Sequence, residues 1–209
     1  MRHFFSFPPN IRKAVRDHVQ GAVAEVSPER FAQEPAYVAA LLARLEGVAY
    51  QGSDGSVVFR ATNINSIGRG AAEGWSGADF AITADIRRND LTVIKAILAQ
   101  AKLGGLEDLS ASERGRLVGQ IQNMRHLTRS PKVLLIRELD GRREPMVASG
   151  VRITEQAHTG ALSLPDYFVR RILTTFDGDT RPDFVAGVQE SSLKQLRVFA
   201  SVQPSSALR

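Results

Sequence analysis

The sequence predicts an α/β protein in which a mixed central sheet is flanked by helices. Three observations carry that prediction. Some segments repeat apolar residues every three to four positions, as the buried face of a helix does. Others are short apolar or alternating runs rich in Val, Ile and Thr, as strands are. The two kinds interleave in the order α-α-β-β-β-α-β-β-α, which suits layers of helix packed on a sheet.

Each element has its own warrant. After a turn-like start, residues 10–26 read as a helix: Asn10 can cap it, and Ile11, Val15, Val19 and Ala22 form a stripe. Pro28 breaks the chain. A second helix runs from Pro35, well placed at a first helical position, to Leu45, with Val38, Leu41, Leu42 and Leu45 on one face. Gly47 ends it. Residues 56–62 (SVVFRAT) are a first strand. A small-residue loop, 65–77, leads into a second, 78–86 (ADFAITADI). Residues 87–90 are a turn, and 92–102 (TVIKAILAQAK) form a long third strand closed by Leu103-Gly104-Gly105. Ser110 and Glu113 make a capping box for a helix carrying Leu117, Ile121 and Met124, which Pro131 stops. Residues 132–137 are a buried strand, 138–144 a turn, 145–148 its short partner and 165–175 a last helix. The tail from Gln203 reads as loose.

Composition bounds the function. The chain has 209 residues, 43% hydrophobic and 23% charged, which is one domain able to bury its own core. It has no Cys, so a disulfide scaffold, a thiol nucleophile and a Cys-ligated metal centre are excluded. No apolar run reaches the ~18–20 residues of a membrane span, and the first residues lack a leader's apolar core. The expectation is a cytoplasmic protein with no membrane contact. The net charge is +5, built from 22 Arg and only five Lys. Arginine favours phosphate partners, but abundant Ala, Gly and Arg also fit plain base composition. Lysine is the scarce residue, so a Lys inside a strand calls for a reason.

One constellation carries chemistry. Asp79 opens the second strand, and Gln100-Ala101-Lys102 closes the third. Strand alternation puts Gln100 and Lys102 on one face and turns Asp79 away from Phe80, Ile82 and Ile86. A hairpin through 87–90 would lay Asp79 beside Gln100 and Lys102. Glu73 lies six residues before Asp79 in the loop. Oxygen donors of this kind suit Mg²⁺: carboxylates from Glu73 and Asp79, the Gln100 side-chain oxygen and the Ala101 carbonyl. Such a metal activates water and polarises a phosphoryl group, and Lys102 would offset charge in the transition state.

The run from Glu73 through Gly-Ala-Asp79 to Gln100-Ala-Lys102 resembles the PD-(D/E)xK nuclease superfamily, and in particular its Q-x-K branches such as Mrr-like restriction enzymes and anti-phage nuclease effectors. The resemblance covers about residues 34–138. It implies a restriction-endonuclease-like αβββαβ core within one nuclease-like domain spanning 1–209. Residues 1–33 are then an N-terminal helical element and 150–209 a C-terminal extension. It further implies a Mg²⁺- or Mn²⁺-dependent endonuclease that hydrolyses DNA phosphodiester bonds, plausibly in defence against foreign DNA, on double-stranded substrate and as a homodimer or with a partner protein. By the same resemblance Asp79 is the metal aspartate, Gln100 stands at the D/E position and Lys102 is the lysine. The upstream glutamate is Glu73, with Glu34 and Glu46 as alternatives, and Gln120 is the glutamine on the following helix. Gln in place of Asp or Glu removes one negative charge. Arg60, Arg69, Arg87, Arg88, Arg114 and Arg116 are candidate phosphate contacts.

The same residues have plainer readings. Asp79 is also a normal strand-entry residue after Ser76-Gly77, Lys102 a solvated strand end, Glu73 an exposed loop acid, and Gln100 and Gln120 hydrogen-bonded amides. Trp75 can stack on a base or lid the core. A nuclease-fold module that binds nucleic acid or assembles with a larger partner, without catalysis, is the alternative function. Other signatures fail: 68–74 reads GxGxxxG, and there is no P-loop, no serine-hydrolase elbow, no HExxH and no EF-hand spacing at 177–183.

Overall fold

A mixed eight-stranded sheet organises the chain, with helices on both of its faces. The structure is a computed structural model, and it describes residues 6–62, 76–139, 142–155 and 160–203. Helix α1 (Pro9–Glu25) begins on a proline and buries Ile11, Val15, Val19 and Ala22. Asn10 does not cap it. Its amide instead donates to Tyr50 Oη and Asp54 Oδ2, both at 2.9 Å. Helix α2 (Glu34–Leu45) buries Val38, Leu41, Leu42 and Leu45, the stripe its sequence spells out.

The strands follow in chain order. β1 (Gly47–Gly52) and β2 (Gly55–Thr62) form a hairpin; β1 occupies a stretch the sequence reading left without an element. β3 (Phe80–Arg88) and β4 (Leu91–Leu103) form a longer one. Its loop is only Asn89-Asp90, with Asn89 at φ 51°, so both strands extend further than their apolar residues suggest. Helix α3 (Ala111–Leu127) opens on the expected capping box between Ser110 and Glu113. It crosses to β5 (Lys132–Leu139), which lies parallel to β4. Then come β6 (Arg142–Ser149), α4 (Gly150–Thr154), the two-residue β7 (Leu162–Ser163) and α5 (Leu164–Tyr167). A π-helical turn, Phe168–Ile172, continues α5 in place of the single helix expected over 165–175. Helix α6 (Pro182–Glu190) and strand β8 (Lys194–Val202) complete the fold.

The sheet order is β1-β2-β8-β3-β4-β5-β6-β7. Strand β8 is antiparallel to β2 and parallel to β3. It therefore stands in the middle of the sheet, although its residues fall in the stretch read from sequence as an extension. The first and second strands of that reading, β2 and β3, are not neighbours. One core joins α1, α2, α5 and the π-turn to a sheet face that includes Ile82, Ile97, Ala99, Ala101 and Leu196. The other joins α3 and α6 to Ala81, Leu98, Val133 and Leu135. Among the described residues no helix is long and apolar enough to cross a membrane.

Lys95 lies in the middle of β4 and is 1% exposed. Its ammonium donates to the carbonyls of Arg171 (3.3 Å), Ile172 (2.7 Å) and Asp177 (2.6 Å). It thus adds a second donor to the Arg171 and Ile172 carbonyls, which also accept from the Asp177 and Thr175 N–H groups. The next residues are tied to the same strand by mutual bonds between Ala96 and Asp179. Gly178 fits against Lys95 because it has no side chain; a Cβ there would sit 2.8 Å from Lys95 Cδ.

Two predictions follow from these contacts. Leu196 is fully buried near the start of β8, so Leu196→Ala should cost about 2–5 kcal/mol in a urea titration. Burial pulls the Lys95 pKa down to about 7 from the ordinary 10.5, against the nearby Asp177 charge. Between those values the unfolded chain binds the extra proton, so this group makes stability rise with pH across the window. Unfolding free energies near pH 7 and near pH 9 should diverge in the native chain, and Lys95→Met should flatten the difference.

Candidate functional site

The β3–β4 hairpin fixes the site's geometry. Phe80 pairs with Ala99, so the residue before Phe80 falls opposite Gln100. Asp79 indeed bonds back across the ladder, its N–H donating to Ala99 O at 2.9 Å. Its carboxylate then turns to the end of β4. Asp79 Oδ2 accepts from the Ala101 N–H at 2.8 Å and from Gln100 Nε2. Asp79 and Gln100 are both buried. Burying a carboxylate is costly unless donors replace its water, and these two bonds do so.

The remaining polar atoms of Gln100 are informative. Nε2 also reaches Ala101 O at 3.2 Å. Oε1 is buried and accepts no hydrogen bond. A buried acceptor without a donor forfeits about 1–3 kcal/mol, a condition it shares with Tyr37 Oη and Gln195 Oε1 elsewhere in the fold. Gln120 Oε1, on α3, is in the same condition.

Lys102 lies on the Gln100 face by strand alternation. Its side chain is 12% exposed and ion-pairs with Glu34 at 3.7 Å. Glu34 sits in the first turn of α2, where the helix dipole favours an acid. Glu113, in the first turn of α3, has its carboxyl held below the usual range, chiefly by the Ser110 hydroxyl and N–H, with the Lys102 charge adding to it. Glu34 thus pairs with the strand-end lysine, while the Glu113 carboxylate accepts from Ser110 and feels Lys102 only as a nearby charge.

The approach to Asp79 demands a glycine. Gly77 has φ +72°, and a Cβ there would lie 2.4 Å from the carbonyl oxygen of Gln120. The chain presses onto the α3 backbone at this point and then enters β3. Ser76, 1% exposed, steadies the turn by accepting from the Ala78 N–H at 3.2 Å.

The structure therefore brings together Asp79, Gln100, Ala101 and Lys102. Glu34, an alternative in the sequence reading, is the upstream acid that reaches Lys102. Glu46 instead lies 3.9 Å from Arg60, both largely exposed. Glu73, Arg69 and Trp75 lie outside the described residues. Arg87 and Arg88 sit at the far end of the hairpin, roughly 25 Å along the strands from Asp79, and Arg87 pairs with Asp85 at 2.7 Å. Arg114 donates to the carbonyls of Leu109 (3.0 Å) and Glu107 (3.3 Å), so it braces the loop before α3. Arg116 is exposed on α3. Sequence reasoning missed Glu113 as a neighbour of Lys102, because the capping box explained it fully.

Among the described residues no group of three His, Cys, Asp or Glu side chains gathers as a metal cluster. The oxygens at this site are instead one carboxylate, the amide oxygen of Gln100 and the Ala101 carbonyl, with the Gln100 amide turning its Nε2 rather than its oxygen towards the other two. All are hard oxygens, the kind that Mg²⁺ or Mn²⁺ accepts. Comparisons with protein-family models, curated proteins and solved structures return no match for this chain.

Gly77→Ala combines a left-handed backbone with a clash, and should destabilise the protein by about 2–4 kcal/mol in chemical denaturation.

Proposed function

We propose that the chain is a metal-dependent endonuclease acting on DNA phosphodiester bonds, with its site at the end of the β3–β4 hairpin. The observation that carries this reading is the meeting of Asp79 and Gln100, 21 residues apart, with Lys102 two residues further on the same strand face. The local order of α2, the β3–β4 hairpin, α3 and parallel β5 also suits a restriction-endonuclease-like core. In this reading β8 is a further strand inserted between β2 and β3.

Asp79, the Gln100 amide oxygen and the Ala101 carbonyl would hold Mg²⁺ or Mn²⁺. Bound there, the ion supplies an acidified water and charge neutralisation at the phosphoryl oxygens. The chain's own residues do the rest. The Ala101 N–H fixes the Asp79 carboxylate in one rotamer, so no reorganisation is needed when substrate arrives. Lys102 presents an ammonium beside the same strand end, where charge grows on the pentavalent phosphorus. Glu34 keeps that ammonium in place when no phosphate is bound.

A second reading has an observation of its own. Gln100 is an amide where a carboxylate would serve a metal better, and its Nε2 already occupies Asp79 Oδ2. A nuclease-fold module that binds nucleic acid without cutting it fits that arrangement.

Plasmid, linear and single-stranded DNA and RNA, incubated with Mg²⁺, Mn²⁺ or EDTA, separate the two. Metal-dependent cleavage of DNA is expected, reduced about 100-fold or more by Asp79→Ala and by Lys102→Ala. Cleavage that survives both substitutions would rule out this site. No cleavage, with DNA binding that weakens steeply as salt rises, would establish the module.

A further inference from the structure

The sheet carries a second polar cluster on the face opposite Asp79. Lys95 is an odd-numbered residue of β4 and so points away from the Gln100 side. Lys132 pairs with Ala99 and shares the Lys95 face. Lys132 is 7% exposed, and its ammonium lies 2.9 Å from Asp177 Oδ2. The buried phenol of Tyr167 lies close to the same carboxylate; burial first, and that charge second, hold it well above its ordinary value. Lys95 clamps the backbone carbonyls of Arg171, Ile172 and Asp177 from beneath. The segment that carries Asp177 is thus pinned from two directions and forms a firm wall.

A cavity of about 510 Å³ opens against this wall. Among the described residues its cations are Arg129, Lys132, Arg152 and Arg171, and its acids are Asp177 and Glu155. Lys132 is balanced by Asp177 and Glu155 offsets one arginine, so the described lining keeps a positive surplus. Arginine forks suit phosphate oxygens. The Arg171 guanidinium also lies 4.2 Å over the Phe176 ring. Phe176 is 41% exposed and lines both this cavity and an adjoining groove of about 1030 Å³; Arg129, Ser130 and Asp177 are likewise common to the two. A planar aromatic beside a basic, half-enclosed cavity offers a stacking surface next to an anion seat.

We propose that this cavity binds a nucleotide, with its phosphate on the exposed Arg129, beside Arg152, and its base against the Phe176–Arg171 pair. The site stands apart from Asp79 and Lys102 and does not depend on their chemistry. A bound nucleotide would bridge α4, the start of β5 and the 171–177 segment, and so stabilise their packing.

The test is calorimetric titration of the full chain with AMP, ATP, inorganic phosphate and a short single-stranded oligonucleotide, all in EDTA, with melting temperatures alongside. AMP or ATP should bind more tightly than inorganic phosphate and raise the melting temperature. Arg129→Ala should weaken nucleotide binding about tenfold, as loss of a charge-assisted phosphate contact does. Arg129 is exposed, so this variant leaves the fold intact. Phe176→Ala should erase the preference for nucleotide over phosphate, and Asp79→Ala should bind as the native chain does. Absence of binding by both nucleotides, or binding unchanged in Arg129→Ala and Phe176→Ala, would overturn the proposal. So would tighter binding of the oligonucleotide that is lost in those same variants, since it would assign the cavity to a nucleic-acid strand.

Discussion

Strand β8 is the constraint on which the sheet depends. Without it the β1–β2 hairpin has no bond to the rest of the sheet, and β3 becomes an edge. By pairing antiparallel on one side and parallel on the other, it makes one sheet of two pieces. Its alternation serves both layers. Leu196, Val198 and Ala200 pack towards α1 and α2. Gln195 faces the other way, and its amide donates to the carbonyls of Val188, Gln189 and Ser191 at the end of α6. A buried glutamine thus adds to the hold that the Ser191 N–H and hydroxyl already have on this helix terminus. The same strand holds β3 in place, and β3 carries Asp79 to the end of β4.

What was legible in the sequence was what is local. The Asp79–Gln100 juxtaposition follows from two apolar strands, a tight turn and the two-residue strand period, with no long-range information. The capping box at Ser110 and the α2 stripe are equally self-contained. Strand β8 carried a readable signal, since Leu196, Val198, Ala200 and Val202 alternate cleanly. Its position did not: nothing in its own residues says that it lies between β2 and β3. Pairing partners distant in sequence are set by tertiary packing, which no single segment encodes. Strand β1 is short, half exposed and flanked by glycines, so its pattern was weak. Glu34 was visible as an acid at a helix start, but only the packing of α2 near the end of β4 brings it to Lys102.

The scarcity of lysine proved a useful guide, for reasons that differ at each position. Lys102 ends a strand and pairs with Glu34 at the start of a helix. Lys95 instead works as a brace, donating to three carbonyls at the end of the π-turn and in the segment after it. Lys132 neutralises an aspartate in a wall of the sheet. Arginine could replace none of these without trouble. Its planar fork is too wide for the carbonyl cradle around Lys95, and it cannot shed its proton when buried. An Arg-rich chain has kept lysine where a compact ammonium is needed.

The glutamine at position 100 bears on how such a protein changes over generations. A glutamine codon lies one base from a glutamate codon, so the route between an amide and a carboxylate here is short. The local physics makes the step uneven. An amide can donate to Asp79, and so keeps the pair at one negative charge. A carboxylate would place two negative charges together where water is scarce, and the fold would tolerate them only with a cation or a shared proton between them. Lineages crossing in that direction would tie their folding to metal supply or to pH, and those crossing back would be released from both.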